Sequence, residues 1–571
     1  MSDSEHPAEL SRIPNNGILR WGSRVRTMAS TLDYELVIGV AVIIGTAAVG
    51  LSTASDYGIS IDEFNADDYG PKALAWYTSG FEDRSQFETV EFSLWYYGPW
   101  FHMLTAFVQS LSLGDRFAVR HAMTFMIGLS GVAAVLPIGR AVGRRWSGLT
   151  ALVLCLTTGY LYGSLFFTPI DVPFLAAMTW AILAIALTSL RAEPSWILVI
   201  AVGLSTGLAI ATRTGGVITY LYALTALALC AARTLSANGE LRVADLGQLA
   251  LKFAVIVLVS GSTAIVLWPW LQIGNPIEQF LIAYRHFVSI PMSYDFPHWG
   301  KLTSVSALPR LYIPEQLAAR LPAAFLIFIL LGFVFALERV FAEGHTMLRQ
   351  RGLGARHLLF QSGNVLARHS GILLVALAGV LPIAFLIVER MRIYDGIRHV
   401  LFIIPMLAIL AGVAAAKIFH LLARARLLLA SLIALYIAEV VLTFSRLHPL
   451  EYVAMSSIAG GTKGAYKRFE LDYFTVAATE AVRRLEARLD YEGARLTHPL
   501  SIMICIPWRE WAVKPMLKRN WLVQTTVEKA DFVVETERWR CAEKFELRKI
   551  DEVRRMDKPF AWTYTRVSEL P

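Results

Sequence analysis

ELVIGVAVIIGTAAVGLST, residues 35–53, decides what kind of molecule this is. A hydrocarbon core takes about 20 apolar residues to cross, and Glu35, at the edge of the run, is its only charge. Immediately downstream stands ISIDEFNADDY, residues 59–69, which places Asp62-Glu63 where a helix would leave the bilayer. Carboxylates in such a position are costly unless they have partners or a task.

Working outward, similar apolar runs recur at 117–139, 147–166, 173–190, 195–211, 216–232, 248–270, 320–338, 370–389, 398–417 and 427–445. The closely spaced pairs around 166–173 and 211–216 are read as possible re-entrant or broken helices. Of the 571 residues, 55% are hydrophobic and 17% charged, with mean hydropathy +0.50. That profile excludes an ordinary soluble enzyme. The formal charge of +8 does not point to nucleic acid, because the basic residues are scattered between apolar runs. The fold class is an α-helical polytopic membrane protein of about 11 transmembrane helices.

Basic residues orient the bundle. Arg12, Arg20, Arg24 and Arg26 precede the first run, and Arg140, Arg144 and Arg145 follow the second. Arg233 and Arg242 follow the sixth; Arg349, Arg351, Arg356 and Arg368 separate the eighth and ninth, and Arg424 and Arg426 the tenth and eleventh. Alternating crossings put all of these on one side, which the positive-inside tendency makes cytoplasmic. The expected organisation is a cytoplasmic segment 1–34, a transmembrane module 35–445 with outer loops 54–116 and 271–319, and an extracytoplasmic part 446–571. The first run reads as a signal anchor, being too long for a cleaved signal core.

The extracytoplasmic part changes character. Residues 475–490 have amphipathic helical spacing, with Val476, Ala477, Val482, Leu485 and Leu489 apolar. Strand-like runs follow at 501–506, 531–535 and 560–567. This predicts a small C-terminal α/β domain that regulates, recruits an acceptor or braces the bundle. Cys505 and Cys541 lie there, where a disulfide is permitted and the sequence leaves it open; Cys155 and Cys230 sit in apolar runs as packing residues.

Five outward sets could carry chemistry. Asp62-Glu63 is either a helix cap or a functional acid pair. Asp171, in Thr168-Pro169-Ile170-Asp171-Val172-Pro173, suits capping ahead of a proline or a ligand contact. Arg213 stands between two apolar runs on the outer side, against the orientation rule, and either snorkels or meets an anion. Tyr394-Asp395-Gly396-Ile397-Arg398-His399, preceded by Arg390 and Arg392, concentrates guanidinium groups of the kind that bind phosphate bidentately. The segment 271–319 interleaves aromatics with polar groups at Trp268-Pro269-Trp270, Tyr284-Arg285-His286 and His298-Trp299-Gly300-Lys301, suiting an interface belt or stacking on sugar faces.

Taken in order, these motifs resemble the integral-membrane glycosyltransferases of the GT-C fold, specifically bacterial relatives of the dolichyl-phosphate-mannose protein mannosyltransferases and aminoarabinose transferases. The marks are Ile61-Asp62-Glu63, Tyr69-Gly70, Trp76-Tyr77-Thr78-Ser79-Gly80, Thr168–Phe174, Leu308–Pro314, Tyr394–His399 and Gly460–Ala465 before Leu471-Asp472-Tyr473-Phe474. They cover nearly the whole chain. Relatives often carry Asn-Pro-Lys-Asp where this chain has Thr168-Pro169-Ile170-Asp171, so a basic contact is missing here.

The resemblance implies inverting transfer of a sugar from a polyprenyl phosphate to an acceptor hydroxyl on the extracytoplasmic face. It implies Asp62 as base, with Glu63 second or orienting the acceptor. Arg398, His399 and Arg213 would face the phosphate, Asp171 would orient the sugar or a cation, and Tyr394 and Asp395 would complete the substrate site. Expected partners are the lipid-linked sugar, a glycan, lipid or protein acceptor, and membrane lipids, with no nucleic acid. No nucleotide motif is present, and Asp67-Asp68 reads as a helix-dipole pair, so no obligatory metal or cofactor is expected. The rival readings are a lipid-linked-sugar flippase, whose halves should be related, and an inactive scaffold.

Overall fold

The computed structural model describes residues 33–111, 114–289, 294–349, 355–391, 393–491, 499–506 and 513–566. The N-terminal arginines, Arg351 and Arg392 lie outside them. The helices are α1 (Tyr34–Thr53), α2 (Ile61–Thr78), α3 (Trp100–Ser110), α4 (Arg116–Val142), α5 (Ser147–Leu156), α6 (Gly159–Phe167) and α7 (Asp171–Ser189). There follow α8 (Trp196–Ile210), α9 (Ile218–Asn238), α10 (Val243–Leu267), α11 (Pro276–Ser289), α12 (Tyr312–Arg320), α13 (Ala323–Arg349), α14 (Ala355–Glu389), α15 (Ile404–Leu421), α16 (Arg426–Leu447) and α17 (Ala477–Tyr491).

Among the described residues nine helices are long and apolar enough to cross a membrane, ten counting α5 and α6 together. All eleven expected runs are helical, but α8, with 15 residues, falls short of a full crossing. The protein is a multi-pass membrane protein. The break falls inside the expected 147–166 span instead of at 166–173 or 211–216: α5 and α6 meet at 67°. Thr157 and Thr158 donate their hydroxyls to the carbonyls of Val153 and Leu154, each at 2.7 Å. Such back-bonding competes with the helix ladder.

Helices α7 and α15 are largely apolar and form the centre, with most of their residues buried. Helices α1, α13 and α16 bury 11% or less and present apolar side chains outward. Close contact of α15 with α5 requires Gly412, where a Cβ would come within 2.5 Å of the Ser147 carbonyl oxygen. Glu35 ties α1 to α5 by accepting the Gly148 and Leu149 amides at 3.1 and 3.2 Å.

The C-terminal sheet runs in the order β4-β3-β5-β7-β6: β3 (Ser501–Ile504), β4 (Leu522–Val523), β5 (Phe532–Thr536), β6 (Arg548–Arg555) and β7 (Lys558–Thr565). A hairpin, β1 (Asp295–His298) with β2 (Lys301–Ser304), precedes α12. Strands β3 and β5 are parallel, β5 and β7 antiparallel. The predicted apolar face of α17 (Ala477, Val482, Leu485, Leu489) is buried, as is Val476 just ahead of it. Cys505 and Cys541 form a disulfide, and Cys155 and Cys230 are free and buried. The segment joining α16 to α17 is packed into the bundle: Tyr452, Tyr473 and Phe474 are fully buried. Just past α16, His448 is held by Glu451 at 2.7 Å and Asp56 at 3.0 Å. These hydrogen bonds raise its pKa to about 9.

Candidate functional site: a cation and carboxylate cluster at one end of the bundle

Four chain segments converge where the bundle meets the C-terminal domain. The first is the start of α2. Ser60 is its N-cap, and Glu63 closes a capping box by accepting the Ser60 amide at 2.9 Å. Asp62, one residue earlier, points away from that cap to a partner 336 residues distant: Arg398 donates from Nη1 to its Oδ2 at 2.7 Å. The Asp62 side chain is 22% exposed. Burial raises its pKa, Arg398 opposes the rise, and Asp171 and Asp395 reinforce it.

Arg398 follows a turn in which Asp395 and Gly396 both take positive φ, +56° and +68°. Glycine is needed at 396 because a Cβ there would meet the Arg320 guanidinium at 2.9 Å. The turn brings Asp395 back onto Arg398 Nη2 at 3.3 Å. Arg398 also lies over the rings of Tyr394 and Phe474, at 5.2 and 5.3 Å.

The second cation stands beside this pair. Arg213, between α8 and α9, donates to Asp171 at 2.5 Å and to His399 Nδ1 at 3.2 Å. Nδ1 of His399 is therefore the acceptor, and its buried Nε2 has no hydrogen-bond partner among the described residues. Tyr97 and Phe174 present their rings to Arg213 at 5.7 and 5.9 Å. The Tyr394 ring stands edge-on to His399, 4.7 Å away.

Six of the eight predicted side chains thus form two trios, Asp62–Arg398–Asp395 and Asp171–Arg213–His399, with the Tyr394 ring packed against both Arg398 and His399. Glu63 is not brought in. It is fully buried, against His121 Nε2 at 3.0 Å, and it organises the turn that aims Asp62. Asp67 pairs with Arg116 and Arg120, and Asp68 with Lys72. The aromatic belt stays apart: Trp268 donates to the Trp95 carbonyl, Trp270 to that of Gln279, and His298 and Trp299 both meet Glu315.

Sequence reasoning missed the contribution of the C-terminal domain. Arg538, in the turn after β5, reaches Asp395 Oδ1 at 3.0 Å, the Tyr473 carbonyl at 2.8 Å and Glu470 at 3.3 Å. Tyr294 donates to the same Asp395 oxygen at 2.7 Å and lies under the Arg538 guanidinium. Behind them Arg320 stacks on Tyr160, whose hydroxyl meets that of Tyr473 at 2.7 Å. Burial raises the pKa of Glu470 and Asp472 to about 7 and that of Glu537 to about 8. In sequence Tyr97 was readable in the aromatic run Trp95–Trp100, whereas Arg538 sits in a charged stretch that looks like ordinary domain surface.

Chemically, the set offers a partly exposed carboxylate with raised proton affinity, two guanidinium groups and a neutral imidazole within one cluster. It can take a proton from a hydroxyl and stabilise an anion beside it.

The chain is similar in structure to ArnT from Cupriavidus metallidurans in the apo state, at 15% identity and TM-score 0.43, over 93% of this chain and 98% of that one. ArnT bound to undecaprenyl phosphate matches at 15% and 0.42, over 94% and 98%. The archaeal oligosaccharyltransferase AglB from Archaeoglobus fulgidus, in complex with an inhibitory peptide and a dolichol-phosphate, matches at 11% and 0.44, over 87% and 69%. No family model and no curated protein sequence matches the chain.

Proposed function

We propose that the protein is an inverting glycosyltransferase that moves a sugar from a polyprenyl phosphate to an acceptor hydroxyl at the extracytoplasmic membrane face. The observation that carries this reading is the Asp62–Arg398 pair, a carboxylate from the first loop held 2.7 Å from a guanidinium at the start of a distant span. In the proposed reaction Asp62 takes the acceptor proton as the acceptor oxygen attacks the anomeric carbon. The bond from that carbon to the phosphate oxygen breaks on the opposite side. The lipid phosphate leaves as an anion, needing no proton but needing positive charge, which Arg398 and Arg213 supply. His399 would donate from Nε2, the atom without a partner among the described residues. Raised proton affinity suits Asp62 to the role of base. The ordered motifs of the first outer loop, Thr168–Phe174 and Tyr394–His399 support the same reading.

The test supplies wild-type protein and Asp62→Asn in proteoliposomes with labelled polyprenyl-phosphate sugars and candidate acceptors. Wild type is expected to consume one donor and Asp62→Asn to bind it without turnover, a loss of about 10²–10⁴-fold for a removed general base. Equal consumption by both would remove Asp62 from the chemistry. Label crossing the bilayer intact would replace the transferase with a transporter.

A further inference from the structure

At the other end of the bundle the structure carries a second cationic feature. Helix α7 runs from Asp171 in the site to Ser189, about 28 Å away at 1.5 Å per residue. There the C-terminal ends of α7 and α9 and the first half of α14 surround an open pocket of about 550 Å³ lined by Leu190, Ala192, Arg233, Ser236, Asn364 and Arg368. Arg233 is held rigidly: Nε donates to the Ser189 carbonyl at 2.8 Å, and Nη2 to Ser370 Oγ at 2.7 Å and to the Ala367 carbonyl. Those partners are all neutral. Neither Arg233 nor Arg368 forms an ion pair with a carboxylate among the described residues. Glu343, the acid that reaches α14, is taken by His369 at 3.0 Å and Arg339 at 3.7 Å.

Two guanidinium groups line one pocket with no carboxylate paired to either among the described residues, an arrangement suited to an anion. Their depth says which kind. Arg233 lies five residues inside the end of the candidate span Thr214–Asn238, and Arg368 six residues inside the start of Ser362–Glu389. At 1.5 Å per residue both sit about 8 Å within their spans, at headgroup depth and not in bulk water. Arginines that only mark topology need no fixed geometry, whereas Arg233 is fixed by three acceptors and opens on a cavity. We propose that this pocket binds the phosphate group of an anionic membrane lipid, held by Arg233 and Arg368, with the lipid bridging α7, α9 and α14. The site is independent of the transferase reading.

The experiment titrates delipidated full-length protein with phosphatidylglycerol, phosphatidylcholine and inorganic phosphate, counting adducts by native mass spectrometry. One phosphatidylglycerol is expected to bind in preference to phosphatidylcholine. Arg368→Ala, at an exposed position, weakens it about fivefold, which is what roughly 1 kcal/mol for one interfacial arginine amounts to. Ser236→Leu, which fills the pocket and keeps both charges, also weakens it. Equal binding of the two lipids, or wild-type affinity in both variants, overturns the proposal. Displacement of the lipid by inorganic phosphate at equal concentration would make this a soluble-anion site and overturn the lipid assignment.

Discussion

Asp62 is held between opposing influences: burial and two neighbouring carboxylates favour its protonated form, and Arg398 favours its charged form. A base in that position works only when deprotonated, so turnover is expected to fall as pH drops through its raised pKa. A pH–rate profile on the labelled donor checks this, and the acid limb should be lost in Asp62→Asn. Arg398 has the larger structural role, because it neutralises both Asp62 and Asp395. Arg398→Ala leaves those carboxylates short of a partner and should cost about 3–5 kcal/mol, read as a lowered denaturation midpoint in detergent. Arg398→Lys keeps the charge and should recover much of that stability, but not the bidentate hold on phosphate. These residues were legible because charge in an apolar setting announces itself. A cap was also readable there, in the Ser60-Ile61-Asp62-Glu63 spacing, but which acid makes it was not: only the turn geometry gives the cap to Glu63 and the cation to Asp62.

At the scale of elements, the apolar runs gave away nearly every helix, because spanning a hydrocarbon layer imposes a length and a composition. What they could not show was the break between α5 and α6, which depends on two hydroxyls bonding back to their own helix. Strands β3, β5 and β7 were readable as apolar runs. Edge strands β4 and β6 were not: β6 reads RKIDEVRR and fully buries only Val553. Helix packing yields a direct prediction at Gly412. Replacing it by Leu drives side-chain atoms into the α5 backbone and should destabilise the protein by about 1–3 kcal/mol or more, seen as a lower melting temperature. The turn after β5 yields another. Arg538→Ala removes one of two cations from Asp395, while Arg538→Lys retains a charge there. Turnover on the labelled donor should fall in the alanine variant and partly return in the lysine variant, with the C-terminal sheet intact by circular dichroism.

The molecule as a whole should be less stable in alkali. Glu470, Asp472 and Glu537 hold protons in the folded state up to about pH 7 to 8, from starting values of 4.5, 3.8 and 4.5. The unfolded chain releases those protons earlier, so stability falls as pH rises through that window. His448 acts in the same direction. Its pKa is raised from 6.5 to about 9, so its contribution is complete below about 6.5 and lost as pH passes 9. Melting temperature is therefore expected to drop between pH 5 and pH 9, and Glu537→Gln should flatten the slope. The close seating of α15 on α5 at Gly412 also bears on how the protein is made. Helix α5 ends at Leu156 and α15 begins at Ile404, so roughly 250 residues must be synthesised before the inner helix meets its neighbour, a wait of about 12–50 s at 5–20 residues per second. During that interval α7 holds the centre alone, with the place of α15 beside it unfilled. The earlier helices therefore wait on α15 before α5 gains its inner neighbour, and a bulkier residue at 412 would act at that late step.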